Sequence, residues 1–216
     1  MCAINLREKL YNILLDEYGT NTPIFVNEIT VENYSDSWTR NALSELCAEG
    51  SVSKAFRGVY YIPTQTRLGL SLLSPEKVLY NKYIYHKGET IGYYSDVVLL
   101  NQLCISTQVP GVIYITTNNT RGNKNVQTLG RQRYVLKKAR VKVTSENVAT
   151  LILLELVEAM RKHSIPFEEN IPTIKSYIQS SSASKKSVLK YADSFNIKAV
   201  DELLKANMPI SFIQLS

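Results

Sequence analysis

Apolar positions change their spacing several times along this chain, and each change marks an expected element. Leu6, Leu10, Ile13 and Leu14 recur at three-and-four spacing, which sets them on one face of a helix over 5–18, and Gly19 stops it. Pro23-Ile24-Phe25-Val26 is a short apolar run, expected as a small strand or turn. Asn27 can cap a short helix over Glu28–Glu32 with Ile29 facing inward. After Ser35, a capping residue, Thr39, Leu43, Leu46 and Cys47 repeat the helical spacing, and Gly50 stands just past the last apolar position. Val52, Phe56, Val59, Tyr60 and Tyr61 are β-prone and flank the turn-like pair Arg57-Gly58. Pro63, without an amide to donate, ends that hairpin.

Residues 64–74 read as a linker that becomes apolar. Ser74-Pro75-Glu76 then opens a helix carrying Val78, Leu79 and Tyr83, with a cap, a proline and an acid in the order a helix start favours. The tyrosines from Tyr80 to Tyr94 suit a core or protein interface better than a nucleic acid. Ser95-Asp96 caps a helix through about Leu103. Val112–Thr117 is a nearly continuous β-branched run, expected as a buried central strand, followed by strands at Gln127–Leu129 and Gln132–Val143. Ser145-Glu146 opens a helix whose Val148, Leu151, Ile152, Leu154, Leu156 and Val157 make it apolar nearly all round, hence buried between layers; Pro166 ends it. Pro172 starts another helix, and helices near 185–194 and 198–207 complete the chain. The expected class is α+β: a domain over 1–63, then a mixed α/β domain over 64–216 that ends in the helices of 145–207.

A helix followed at once by a basic hairpin is the sequence form of a winged helix-turn-helix. Such a helix enters the major groove and reads base edges, while the hairpin reaches a flanking phosphate or the minor groove. The inward face over 35–47 leaves Ser37, Trp38, Arg40, Asn41, Ser44 and Glu45 outward, and Lys54 and Arg57 lie on the hairpin. Arg and Asn pair bidentately with guanine and adenine edges. An outward Trp38 can touch sugar or base, but sealing an interface is the commoner use of such a residue. The competing reading is a helix-plus-hairpin unit that only packs or docks a protein.

Charge changes this picture. The 216 residues carry a net +6 with a sequence pI near 9.1, which points to an anionic partner. Yet residues 1–63 hold five Lys or Arg against eight acids, so the DNA-reading candidate is itself acidic. From Val97 to Ser145 there is no acid at all, and eight cations cluster there: Arg121, Lys124, Arg131, Arg133, Lys137, Lys138, Arg140 and Lys142. Protection of a strand edge needs fewer, so the 121–142 region is expected to be a basic binding surface.

Other classes lose ground. No apolar run approaches the ~18 residues of a membrane span, and the N-terminal pattern is acidic and helical rather than that of a secretory signal. Cys2, Cys47 and Cys104 are widely spaced, and two of them lie in apolar patterns, so buried thiols in a reducing cytoplasm are expected. Two histidines without Cys-x-x-Cys give no zinc pattern, and no cofactor is expected. A Gly-rich phosphate loop, a Gly-x-Ser-x-Gly elbow and His-Glu-x-x-His are all missing, and the expected strands carry no carboxylate for a metal-dependent nuclease. No catalytic residue is expected.

Ala42-Leu43-Ser44-Glu45-Leu46, Gly50 and Gly58-Val59-Tyr60-Tyr61-Ile62-Pro63 together resemble the N-terminal winged helix of AbiEi-type antitoxins, members of type IV (abortive-infection) toxin–antitoxin pairs of bacteria. A second block is similar to the domain that follows in that group. It runs from Asn101-Gln102-Leu103 through Ser106-Thr107-Gln108-Val109-Pro110 and Val112–Thr117, then Gly130, Arg131 and Tyr134 to Lys137. The likeness covers about 5–143. It implies a cytoplasmic, bifunctional protein. The winged helix would bind double-stranded operator DNA, as a homodimer on inverted repeats in its own promoter, and repress. The remainder would neutralise a nucleotidyltransferase-like toxin. The alternative is a stand-alone winged-helix regulator whose second domain serves dimerisation or effector sensing.

Overall fold

Helix α1 (Leu6–Tyr18) lies against α2 (Asp36–Ala48) because each presents one apolar stripe to the other. Leu10 and Leu14 of α1 are fully buried in one cluster with Ile24, Ala42, Leu43, Leu46, Val52 and Ile62. The computed structural model describes residues 6–32 and 35–195. Between the two helices come strand β1 (Ile24–Phe25) and a single 3-10 turn, Val26–Glu28. The helix expected over Glu28–Glu32 does not form. Asn27 falls inside the 3-10 turn instead of capping a helix, Ile29 is buried but extended (φ −76°, ψ 118°), and the Val26 amide is bonded to Gly58 O at 3.0 Å. After α2, strands β2 (Ser53–Phe56) and β3 (Val59–Tyr61) form the expected hairpin, and the antiparallel sheet runs β1-β3-β2.

The segment that reads as a linker folds back on this first unit. A small hairpin of β4 (Gln65–Thr66) and β5 (Gly69–Leu70) is fastened at its base by Asn21, whose Nδ2 donates to Thr64 Oγ1 at 2.8 Å and whose Oδ1 accepts from the Ser71 hydroxyl. The Tyr61 hydroxyl donates to Ser71 O at 2.8 Å. These bonds carry the first unit past Pro63, and the chain divides between Leu79 and Tyr80, inside helix α3 (Pro75–Tyr83).

The second unit begins with a hairpin of β6 (Tyr85–His86) and β7 (Glu89–Thr90). Strand β8 (Gly92–Tyr94), helix α4 (Val97–Gln102) and strands β9 (Val112–Thr117), β10 (Lys124–Leu129) and β11 (Gln132–Lys138) follow. The four-stranded sheet runs β10-β11-β9-β8, with β11 and β9 parallel and the other pairs antiparallel. β9 thus lies inside the sheet, and Ile115, Thr116 and Thr117 are buried. β11 ends at Lys138, short of the expected Val143, because the Asn118 side chain captures the continuing chain. Its Nδ2 donates to Val143 O (2.8 Å) and its Oδ1 accepts from Val143 N (2.9 Å). Helix α5 (Val148–Lys162) is the core of this unit, with Leu151, Leu153, Leu154, Leu156 and Val157 at most 1% exposed. It starts later than Ser145 because Asn147 closes a loop first, accepting from Thr144 N and donating to Lys142 O, each at 2.9 Å. Helices α6 (Ile171–Ser180) and α7 (Lys185–Tyr191) pack on it through Ile174, Ile178 and Val188. The helix expected at 198–207, and Cys2, lie outside the described residues; Cys47 is half-buried, and Cys104, just past the end of α4, is exposed rather than buried as expected. Among the described residues no helix is long and apolar enough to cross a membrane.

Candidate nucleic-acid interface

On α2 the Ser35 hydroxyl accepts from Trp38 N at 3.3 Å, so the first turn is capped and the helix phase is fixed. That phase buries Thr39, Ala42, Leu43 and Leu46, and leaves Ser37, Arg40, Asn41 and Ser44 exposed on the opposite side. Trp38 departs from the expected outward position. It is half-buried and packs against the cluster between α1 and α2, so its ring serves the core. Glu45 and Glu49, the acids that would oppose a phosphate backbone, are engaged by Arg7 of α1, at 3.4 Å for Glu45 and in a closer contact for Glu49. Arg40 makes no ion pair among the described residues and stays available on the surface.

The hairpin places Lys54 and Arg57 in solvent. Gly58 takes φ +73° to turn the chain behind Arg57, and a register shift between Lys54 and Phe56 bends β2. Lys54 Nζ stands 6.0 Å from the Tyr60 ring centroid, on the face of the strand that follows. The first unit therefore brings the residues read from the sequence onto a helix face and a hairpin, with Trp38 removed from that set.

The eight cations of 121–142 do not form one uniform surface. β10 and β11 join at Gly130-Arg131, with Lys124 opposite Lys137 at one end and Leu129 opposite Gln132 at the other. Those ends lie roughly 17 Å apart at the usual rise per residue. Arg131 and Arg133 stand at the turn; Arg121, Lys124, Lys137, Lys138, Arg140 and Lys142 gather at or beyond the opposite end. Arg121, Lys124, Arg131, Arg133, Lys138 and Lys142 are exposed and make no ion pair among the described residues. Lys137 and Arg140 are otherwise engaged. Lys137 Nζ lies 3.5 Å from Asp96 and 3.7 Å from Glu155, and Arg140 grips Glu158 with two bonds of 2.7 and 2.9 Å.

These pairs belong to a polar cleft of about 790 Å³ over β9, β11 and α5, which local sequence patterns did not disclose. Asp96 is its most constrained member. It is 2% exposed, caps α4 by accepting from Val97 N at 3.0 Å, and holds φ +61°, ψ −140°, a conformation costly for a residue with a side chain. Lys162 Nζ and His163 Nε2 both donate to its carboxylate. Burial alone would push this carboxyl up; the bonds from Lys162 and His163 and the nearby Lys137 charge overcome that and hold it at about 2. Glu155, 8% exposed, has the opposite balance: burial pushes it up, and Lys137 compensates only in part. One signal for this cleft was present in the sequence, namely two acids, Glu155 and Glu158, three apart on a helix otherwise apolar nearly all round. Among the described residues no group of three or more His, Cys, Asp or Glu is placed to hold a metal ion.

Comparison of the chain with protein-family models and with curated proteins gives no match.

Proposed function

We propose that this chain is a bacterial antitoxin of a type IV toxin–antitoxin pair that also represses its own promoter through an N-terminal winged helix. The observation that carries this reading is the order α1-β1-α2-β2-β3 with its β1-β3-β2 sheet, which presents Arg40, Asn41 and Ser44 on the helix before the hairpin. Supporting it, Arg7 quenches the two acids at the far end of that helix, which lessens the local repulsion of DNA in an acidic unit. In this proposal Arg40, Asn41 and Ser44 read bases, Lys54 and Arg57 touch a flanking phosphate, and the unpaired cations of 121–142 add sequence-independent attraction. Toxin neutralisation rests on the sequence resemblance.

The test is fluorescence anisotropy with duplex DNA from immediately upstream of the gene, against a scrambled duplex, over a salt series. Selective binding weakened by Arg40→Ala supports the repressor; equal or absent binding to both duplexes removes it. The antitoxin half is tested by co-expression with the product of the neighbouring reading frame, where rescue of growth is expected. The charged cleft of the second unit favours one further reading, a stand-alone regulator whose second domain senses an effector. That reading stands if no neighbouring product is toxic.

A further inference from the structure

We propose that the cleft between the sheet and α5 of the second unit is a binding site for a nucleotide, with Lys138 meeting the phosphates and Thr116 and Glu155 meeting the nucleoside end. Four observations lead there. The cleft's volume, about 790 Å³, is that of a site for one small organic molecule. Five cations line it, Lys137, Lys138, Arg140, Arg161 and Lys162, against three acids, so its charge attracts an anion. Lys138, at its edge, makes no ion pair among the described residues, which leaves an ammonium ready for a phosphate oxygen.

The fourth observation separates a nucleotide from a bare phosphate. Thr116 is 4% exposed and lines the cleft, and its Oγ1, which has the buried Tyr93 hydroxyl close by, completes no well-formed hydrogen bond. Buried hydroxyls without a well-formed bond are rare and costly, so this one has bonding capacity left for a ligand. Glu155 also lines the cleft, and its nearest cation is Lys137 at 3.7 Å, beyond hydrogen-bond reach. A ligand that satisfies all three groups carries an anionic end for Lys138 and N–H or O–H donors for Glu155 and Thr116. A nucleotide combines these; inorganic phosphate offers no such second end. Asp96, Lys162 and the Arg140–Glu158 pair frame the walls with interactions already satisfied, which holds the cleft open in a fixed shape.

Isothermal titration of the full chain with ATP, GTP, CTP, UTP, pyrophosphate and adenosine tests this. At least one nucleotide should bind more tightly than pyrophosphate and adenosine. Lys138→Glu should weaken it by about tenfold or more, and Thr116→Val, which removes the hydroxyl at nearly constant shape, by roughly fivefold. Arg131→Glu, at the distant turn of the basic hairpin, should leave the affinity unchanged. In the unmodified protein, the same nucleotide should protect Lys138 from acetylation and leave Lys185 reactive, a readout that does not depend on any variant folding. Binding of pyrophosphate as tight as that of every nucleotide, equal loss in the Arg131 variant, or no protection of Lys138 would each overturn the proposal.

Discussion

Arg140 and Glu158 meet in parallel, Nη1 to Oε1 at 2.7 Å and Nη2 to Oε2 at 2.9 Å, while the guanidinium lies 4.9 Å from the Phe195 ring centroid. A fork held on both prongs and stacked on an aromatic face is a structural clamp between the end of the sheet and α5. Arg140→Ala should therefore lower stability by about 1 kcal/mol, a modest figure because the arginine is half exposed. The same change should leave the salt dependence of DNA binding unaltered. Lys138→Glu should do the reverse, reducing the salt slope by about one with little effect on the urea midpoint. Urea denaturation and a salt-series anisotropy measurement on both variants separate the two roles.

Within α2, Trp38 and Arg40 are two residues apart and face different tasks. Trp38→Ala opens a gap at the edge of the first unit's apolar cluster and should cost about 2 kcal/mol, less than a fully buried aromatic because the ring is partly exposed. Arg40→Ala should leave the melting temperature within a degree or so of the parent while weakening operator binding by about 1–3 kcal/mol. If Arg40→Ala instead destabilised the fold and Trp38→Ala selectively abolished operator binding, the assignment of α2's faces would be wrong.

Acid should loosen the second unit through Asp96. Its folded-state value of about 2 lies below the ordinary value of 3.8, so the carboxylate stabilises the fold above pH 4. That contribution falls away as pH drops from about 4 towards 2, while Lys162, His163 and Lys137 lose their partner. Asp96→Asn should lower stability at pH 7 and flatten this acid limb. Chemical denaturation at half-unit pH steps from 2 to 7 measures both effects, and an unchanged acid limb in the variant would assign it to another group.

Gly92 of β8 is another narrow point. A Cβ there would lie 2.2 Å from Tyr83 O and 2.7 Å from Thr116 O, two backbone atoms that cannot swing aside. Gly92→Ala should cost about 3 kcal/mol or prevent the unit from folding, which a thermal melt and soluble yield would reveal.

Much of this architecture was legible from local spacing. The Leu10–Leu14 and Leu43–Leu46 stripes located α1 and α2, the Val112–Thr117 run located β9, and Arg57-Gly58 located the hairpin turn. What escaped was long-range. Arg140 and Glu158 are 18 positions apart, and Asp96 and His163 are 67 apart, so no window of sequence pairs them. Counting charges along 97–145 correctly found eight cations without an acid, but the acids that engage two of them arrive from α4's cap and from α5. Trp38 was misplaced for a related reason: helical spacing fixes a side chain's angle, while the reach of an indole ring into a neighbouring seam depends on the partner helix. The 64–71 hairpin was missed because Asn21, Thr64 and Ser71 bond across about 50 positions.

Glu155 sets stability against use. Its carboxyl is buried on α5, and burial raises its proton affinity above that of the unfolded chain despite the nearby Lys137 and Arg140 charges. For an acid shifted upward the linkage runs opposite to that of Asp96: the fold is favoured while the proton is held and loses ground as pH rises past the unfolded value of about 4.5. Glu155→Gln removes that penalty and retains an acceptor oxygen, and Lys137 keeps Asp96 at 3.5 Å. The variant should therefore be more stable than the parent at pH 7.5, with the gap closing below pH 4. Paired urea titrations at the two pH values decide the matter. A glutamine variant less stable at pH 7.5 would mean that the Lys137 contact outweighs desolvation. A stabilised variant that also loses nucleotide affinity would show that this carboxylate is kept in the cleft at a cost to the fold.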